Sequence, residues 1–324
     1  MKIGQNRGET NPQAAPRRLG DSRITSRIHS ERPLDEILRE RLHLRGRGRL
    51  ALATIRAGLS AGDWLSRLFT GQPFFALRQS EDLLGEIAGL QGTALLDKMM
   101  SLNGGTQFRA QGLDTVPDNG PVLIAATHPT GLFEFCAHMQ ILRRKRPDLR
   151  VVANAETERF LGADMIIPVK ISKENRAESA HSTRRAILDH LEAQGAVLIF
   201  GSGRVADQHE GLLVEPPWRG GPTELSRAAN APVVPGALNV RNSSAYYRIR
   251  GTARVLSGGN AHFGAMIGSL RYFQEFMSKL GGSYDVAYGT IQPPGTPRKT
   301  LKTEAEELFP GLYASASGSS NSSD

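Results

Sequence analysis

The sequence predicts an α/β protein built on a mixed, largely parallel sheet flanked by helices, with a helical segment ahead of it. Three observations predict this class. Short unbroken apolar runs, among them Val122 to Ala126 and Ala196 to Phe200, suit strands buried on both faces. Amphipathic stretches long enough for helices alternate with them, as in units where a helix crosses between parallel strands. Gly and Pro mark the joints, as at Gly120-Pro121, Gly195 and Ala231-Pro232. A chain of 324 residues is long enough for one large domain with appendages.

Composition narrows the class further. Hydrophobic residues make up 39% and charged residues 22%, the balance of a chain able to bury a core. The single cysteine, Cys136, excludes internal disulfides and any cysteine-based zinc cluster. No apolar run approaches the length of about 18 residues needed to span a bilayer. The first twenty residues lack the apolar core of a secretory signal, so a cytoplasmic location is expected. Of the net charge of +8, much lies early: residues 1–50 carry twelve Lys and Arg against six Asp and Glu. Such an arm suits an anionic lipid surface, nucleic acid, or simple solvation. No aromatic residues interleave with its arginines, which argues against stacking on single-stranded nucleic acid.

Taken in order, residues 1–33 are Gly, Pro, Asn, Ser and Arg without period, a disordered basic arm. Residues 34–107 read as a helical region. Leu34, Ile37, Leu38 and Leu42 recur on one helical face, and Gly46 is a stop signal. Residues 50–75 carry Leu52, Ile55, Leu59, Trp64, Leu65, Leu68 and Phe69 with Arg56 and Arg67 among them, and the interruptions at Gly58, Gly62 and Gly71 predict two helices. This arginine-bearing segment suits either a membrane interface or packing on the main domain. Another helical stretch covers 80–101.

The main domain, residues 108–312, opens with a strand over 108–112 and the strand at Val122 to Ala126. A helix over 135–144 ends in the basic cluster Arg143 to Arg146. Short strands follow at Val151-Val152 and 165–171. A helix over 179–194 stops at Gly195, and Ala196 to Phe200 is a buried strand ending at Gly201-Ser202-Gly203-Arg204. A short helix over 224–230 precedes the strand in 231–238. Strand-like runs at 246–254 and 284–291 flank a helix over 266–280. A last helix over 303–308 precedes a disordered Ser-rich tail, 313–324.

The chemistry concentrates where the strand Val122 to Ala126 breaks at Thr127-His128-Pro129-Thr130-Gly131. Pro disfavours helix at the residue before it, so His128 sits on a loop at the carboxyl end of a strand, and Glu134 lies one turn into the next helix. An imidazole held in one tautomer by a carboxylate is a competent general base. Without a protein nucleophile in the pattern, its hydroxyl must come from a substrate. The same two residues also fit a structural histidine near a surface glutamate.

Four blocks in order resemble the glycerol-3-phosphate and lysophosphatidate acyltransferase family, over about residues 108–292. They are the strand running into His128-Pro129-Thr130-Gly131 and an acid; the strand at 165–171 leading to Glu174-Asn175-Arg176; Val197 to Gly203; and Ala231-Pro232-Val233-Val234-Pro235. Two departures stand out. The acid falls at Glu134, one position later than the common pattern, as in the branch called haemolysin-like, and the third block carries Ser202 where the family usually has Glu.

The resemblance implies a glycerolipid acyltransferase-like fold and acyl transfer from acyl-CoA or acyl carrier protein to a lyso-lipid hydroxyl. His128 would be the base and Glu134 its orienting partner. It implies substrate contacts at Thr130, Gly131, Ser202 and Gly203, with backbone amides near Gly131 or Gly203 as donors to an oxyanion. Arg176 and Arg204 are candidates for a phosphate, because a guanidinium binds it through two parallel bonds; Lys170 is a weaker one. Trp218 and Arg219 follow in a loop suited to substrate contact or to packing. No cofactor or metal is implied, and the eight histidines show no metal-ligand spacing. The implied setting is the inner face of the cell membrane, as a peripheral protein, with no nucleic acid partner.

Other readings stay open at this point. An acyl ester or thioester hydrolase would let water replace the acceptor, although the Gly-x-Ser-x-Gly elbow is absent around Ser202. A non-catalytic lipid- or nucleic-acid-binding protein would use the basic arm alone. The altered third block also admits an amino-acid-derived lyso-lipid as acceptor.

Overall fold

The computed structural model describes residues 33–42, 44, 49–169 and 176–314. The basic arm over 1–32, Lys170, Glu174-Asn175 and the tail over 315–324 lie outside the described residues. Among the described residues there are nine strands: β1 (Gln107–Gln111), β2 (Val122–Ala126), β3 (Arg150–Asn154), β4 (Ile166–Val169), β5 (Ala196–Phe200), β6 (Asp207–His209), β7 (Leu212–Val214), β8 (Val233–Leu238) and β9 (Ser283–Tyr288). Seven form one sheet in the order β1-β9-β8-β2-β5-β3-β4, while β6 and β7 pair as a separate hairpin. All neighbours in the large sheet are parallel except β8 and β9. The mixed, largely parallel sheet is thus as the sequence predicts; the small hairpin is an addition, too short to leave a periodic signal. Pro168 lies in β4, an edge strand, where a missing N–H leaves no ladder bond unmade.

The helices are α1 (Pro33–Arg41), α2 (Arg49–Thr70), α3 (Leu77–Glu86), α4 (Gly92–Ser101), α5 (Phe133–Lys145), α6 (Glu158–Leu161), α7 (Arg176–Glu192), α8 (Gly221–Ala228), α9 (Ser244–Leu256), α10 (Ala261–Gly268), α11 (Tyr272–Met277) and α12 (Arg298–Glu307). Every residue of β2 is buried, and its alternating side chains feed two cores. Val122, Ile124 and Ala126 pack with Phe135, Met139 and Leu142 of α5. Leu123 and Ala125 face the other way, into a cluster with Ile187 and Leu191 of α7 and Leu301 of α12. Helices therefore cover both faces of the central strands.

The N-terminal helices join the first of these cores. Leu34 and Ile37 of α1, Leu52 and Leu59 of α2 and Leu95 and Leu96 of α4 share one cluster with α5. The opposite face of α2 leaves Leu50, Trp64, Leu68 and Phe69 more than 60% exposed, an apolar ridge with no protein cover among the described residues.

Four sequence expectations are corrected here. Residues 49–70 form one helix, not two: burial of Leu52, Leu59 and Asp63 along one face holds it continuous through Gly58 and Gly62. The buried Asp63 on this helix accepts the N–H groups of Phe75, Ala76 and Leu77, which fastens α2 to the start of α3. The stretch 80–101 is instead two helices, broken where Gly89 and Gly92 take positive φ. Residues 246–254, expected as a strand-like run, belong to the helix α9. The Ser243 hydroxyl accepts the Tyr246 N–H at its start, and the small Gly264 and Gly268 allow α10 to pack directly against it. The helix expected over 266–280 is broken into α10, a turn of 3₁₀ helix and α11.

Candidate active site

The carboxyl ends of β2, β5 and β8 lie side by side, and each leads into a segment that builds the site. After β2 comes the loop 127–132, after β5 the turn Gly201-Ser202-Gly203-Arg204, and after β8 the segment 239–243. His128 Nδ1 lies 2.7 Å from Glu134 Oε1. Glu134 is fully buried, while the His128 side chain is 15% exposed. The ring stacks on Phe200, the last residue of β5, at 4.5 Å between centroids.

Glu134 is held by its own loop. Its Oε1 accepts the N–H groups of Thr130 at 3.1 Å and Gly131 at 2.7 Å, and Oε2 accepts the Thr130 hydroxyl. Its place in the first turn of α5 also sets its charge against the positive end of the helix dipole. Burial alone would raise its pKa, but His128, Thr130 and Gly131 outweigh that and pull the carboxyl down to about 2. The His128 ring shows the complementary effect: burial opposes its charge, yet Glu134 first and Glu215 second leave its pKa raised. With Nδ1 turned to the Glu134 carboxylate at 2.7 Å, Nε2 is the nitrogen left for a reacting proton.

The loop itself is braced from several sides. The His128 carbonyl accepts the Ala206 N–H at 2.9 Å, and the Arg250 guanidinium of α9 holds the Val205 and Ala206 carbonyls at 3.1 and 3.0 Å. Asn242 donates to the Thr130 carbonyl at 3.2 Å and accepts from Lys279, which is paired with Glu275. The Tyr313 hydroxyl donates to Thr127 Oγ1 at 2.8 Å. Gly131 takes φ +96° between Val205 and Tyr272, where a Cβ would stand 2.9 and 3.0 Å from their side chains.

The predicted site residues divide into distinct places. His128, Glu134, Thr130 and Gly131 converge, but the amides and hydroxyl of Thr130 and Gly131 are spent on Glu134. The Gly203 amide is likewise committed, to the Phe200 carbonyl at 3.0 Å, so neither glycine expected to supply an oxyanion donor presents a free one. Ser202 is buried and closes its own turn, donating to the Arg204 carbonyl and accepting the Arg204 N–H. Arg204 and Arg219 are exposed beside this turn, with the Arg219 guanidinium lying along Gly203. Arg176 begins α7, and its side chain lies outside the described residues. Trp218 is buried against Gly201, where a Cβ would fall 2.1 Å from the ring, so its role here is packing.

Sequence reasoning missed Glu215. It follows β7, is buried, and its Oε2 accepts the His128 N–H at 3.3 Å. Burial pushes its carboxyl up to about 7, with Ser202 and His128 offsetting only part of the effect. Nothing in Val214-Glu215-Pro216-Pro217 marks it, since the contact joins residues 87 positions apart. Asn242, Arg250 and Tyr313 escaped notice for the same reason. His138, also buried here, bonds Tyr288 and is held neutral by burial, its pKa lowered to about 4.

Among solved structures, the fold is similar to that of the 1-acyl-sn-glycerophosphate (LPA) acyltransferase PlsC from Thermotoga maritima, at 10% identity and a TM-score of 0.41, over 79% of this chain and 95% of that one. No curated protein matches the sequence. Residues 107–239, from β1 through the strand end at β8, match the model of the Acyltransferase family. The matched segment holds both His128 and Glu134.

Proposed function

We propose that this protein moves a fatty acyl group from the thioester of acyl-CoA or acyl carrier protein to a hydroxyl of a lyso-lipid acceptor of the lysophospholipid type. The observation that carries the reading is the contact of His128 Nδ1 with the buried, ionised Glu134, on an acyltransferase-family segment. In the proposed reaction, His128 Nε2 takes the acceptor's hydroxyl proton as the oxygen attacks the thioester carbonyl carbon. Glu134 stabilises the imidazolium that forms. Collapse of the tetrahedral intermediate breaks the carbon–sulfur bond, and the imidazolium returns its proton to the departing sulfur. The products are a new ester and a free thiol, and no resident cofactor takes part.

Arg204 and Arg219, exposed beside the Gly203 turn, suit a phosphate of the acceptor or of the donor's carrier group, and Arg176 is a third candidate. The apolar ridge of α2, with Trp64 and Phe69 outward, suits an interfacial position on an anionic membrane at the cytoplasmic face. Among the described residues no helix is long and apolar enough to cross a membrane.

The reading is tested by mass spectrometry of purified protein mixed with acyl-CoA or acyl carrier protein and a panel of lyso-lipids, beside His128→Ala. A diacyl product made by the wild type alone supports the reaction and names the acceptor. Free fatty acid without a diacyl product would instead mean hydrolysis, and identical products from both proteins would remove His128 from the chemistry.

A further inference from the structure

Glu215 is buried where the His128 loop meets the chain leaving β7, and only one of its oxygens is satisfied. Oε2 accepts the His128 N–H, while Oε1 is buried with no hydrogen-bond partner. An unpaired carboxylate oxygen away from water is costly to keep. A glutamine would accept the same N–H without a charge to desolvate, so the amide contact alone gives no reason for an acid here.

The groups around it do. On the β2 loop stand His128 and, beyond its ring, Glu134; the Ser202 hydroxyl comes from the turn after β5. Glu306 of α12 and the Tyr313 hydroxyl complete the surroundings, and Lys279 acts on Glu134 from the far side. Among the described groups that act on the Glu215 charge, namely Ser202, His128, Glu306 and Tyr313, His128 is the one that can become a cation.

We propose that Glu215 is a second positioning carboxylate for His128, holding the backbone of that residue through Oε2 and favouring its protonated ring by charge. The proposal rests on the acyl-transfer reading and deepens it, because it names how the site is regulated by pH. The two glutamates divide the task. Glu134, with all its hydrogen bonds made, stays ionised throughout the working range, its pKa near 2. Glu215, short of partners, has its pKa pushed up to about 7, inside the window in which imidazole groups change charge. His128 and Glu215 then titrate as a unit. Ionised Glu215 raises the ring's proton affinity and stabilises the imidazolium formed during transfer, and its protonation withdraws that support.

The test uses the full chain and two readouts: the acid limb of the pH profile of kcat/KM, and the titration of the His128 ring followed by NMR. In Glu215→Gln, which keeps an acceptor for the His128 N–H, both move to lower pH by about one unit. In the wild type the ring signal follows two steps, its own and that of Glu215. A His128 titration unchanged in Glu215→Gln, with only the melting temperature lowered, would make Glu215 a structural brace and overturn the proposal; so would a single-step wild-type titration, which needs no variant to be read. Should the ring titration shift while the wild type shows no acyl transfer dependent on His128, the positioning role would stand and the acyl-transfer reading would fall.

Discussion

Glu134→Gln isolates the charge of the Glu134 carboxylate from its shape. The Thr130 and Gly131 amides and His128 Nδ1 all meet the same atom, Oε1. A glutamine with its carbonyl at that position keeps all three contacts, and its NH₂ group faces the Thr130 hydroxyl, which can turn from donor to acceptor. The fold is therefore expected to survive while the negative charge is lost. Two unit charges about 4 Å apart at an effective dielectric near 20 attract by about 4 kcal/mol. At about 1.4 kcal/mol per tenfold in rate, that sets a ceiling of about 10³-fold on the loss. The neutral hydrogen bond that remains recovers part of it, so a fall of about 10²-fold in kcat/KM is expected.

The pH dependence moves as well. Base catalysis needs the neutral ring, and the raised pKa of His128 places the acid limb above its ordinary value near 6.5. Removing the Glu134 charge lowers that pKa, so the limb shifts to lower pH even as the plateau rate drops. The assay is steady-state acyl transfer from pH 5 to 9, roughly the window in which an imidazole titrates, with melting curves to confirm folding. A variant within about threefold of wild type, with its acid limb unmoved, would refute the coupling of His128 to Glu134.

Two further outcomes follow from packing and exposure. Gly131→Ala places a Cβ against Val205 and Tyr272 at a backbone angle that favours glycine, so thermal melting should show a loss of about 1–3 kcal/mol with activity reduced alongside; an unchanged melting temperature would mean the loop yields freely. Replacing Trp64, Leu68 and Phe69 together by Ser should weaken sedimentation with anionic vesicles while the melting temperature stays near wild type, because these side chains lie outside the core. Undiminished sedimentation would sink the docking role of α2. Point changes are the cleaner test here, since deleting residues 1–75 would also strip Leu34, Ile37, Leu52 and Leu59 from the main core.

Much of the site was legible because its parts are close along the chain. Val122 to Ala126 is a continuous apolar run, Pro129 forces the break, and Glu134 lies six residues past His128, so strand, loop and helix bring the pair together through local geometry alone. The fold class was legible for a related reason. Buried strands and amphipathic helices each write their period directly into the sequence.

Local signals failed where distant contacts decide. Residues 246–254 carry two tyrosines and a run of β-compatible residues, yet α10 approaches through Gly264 and Gly268 and the segment is helical. Gly58 and Gly62 read as breaks in α2, but the buried faces of Leu52 and Leu59 keep it continuous, since packing of one face outweighs about 1 kcal/mol of glycine propensity. The sequence by itself determined the α/β class, the central strand and the pairing of His128 with Glu134. Only the tertiary structure decided that Glu215 and Asn242 meet on the same loop and that Arg250 braces the segment beside it, because contacts spanning 87, 112 and 44 residues leave no periodic trace in the chain and exist only once the sheet has assembled.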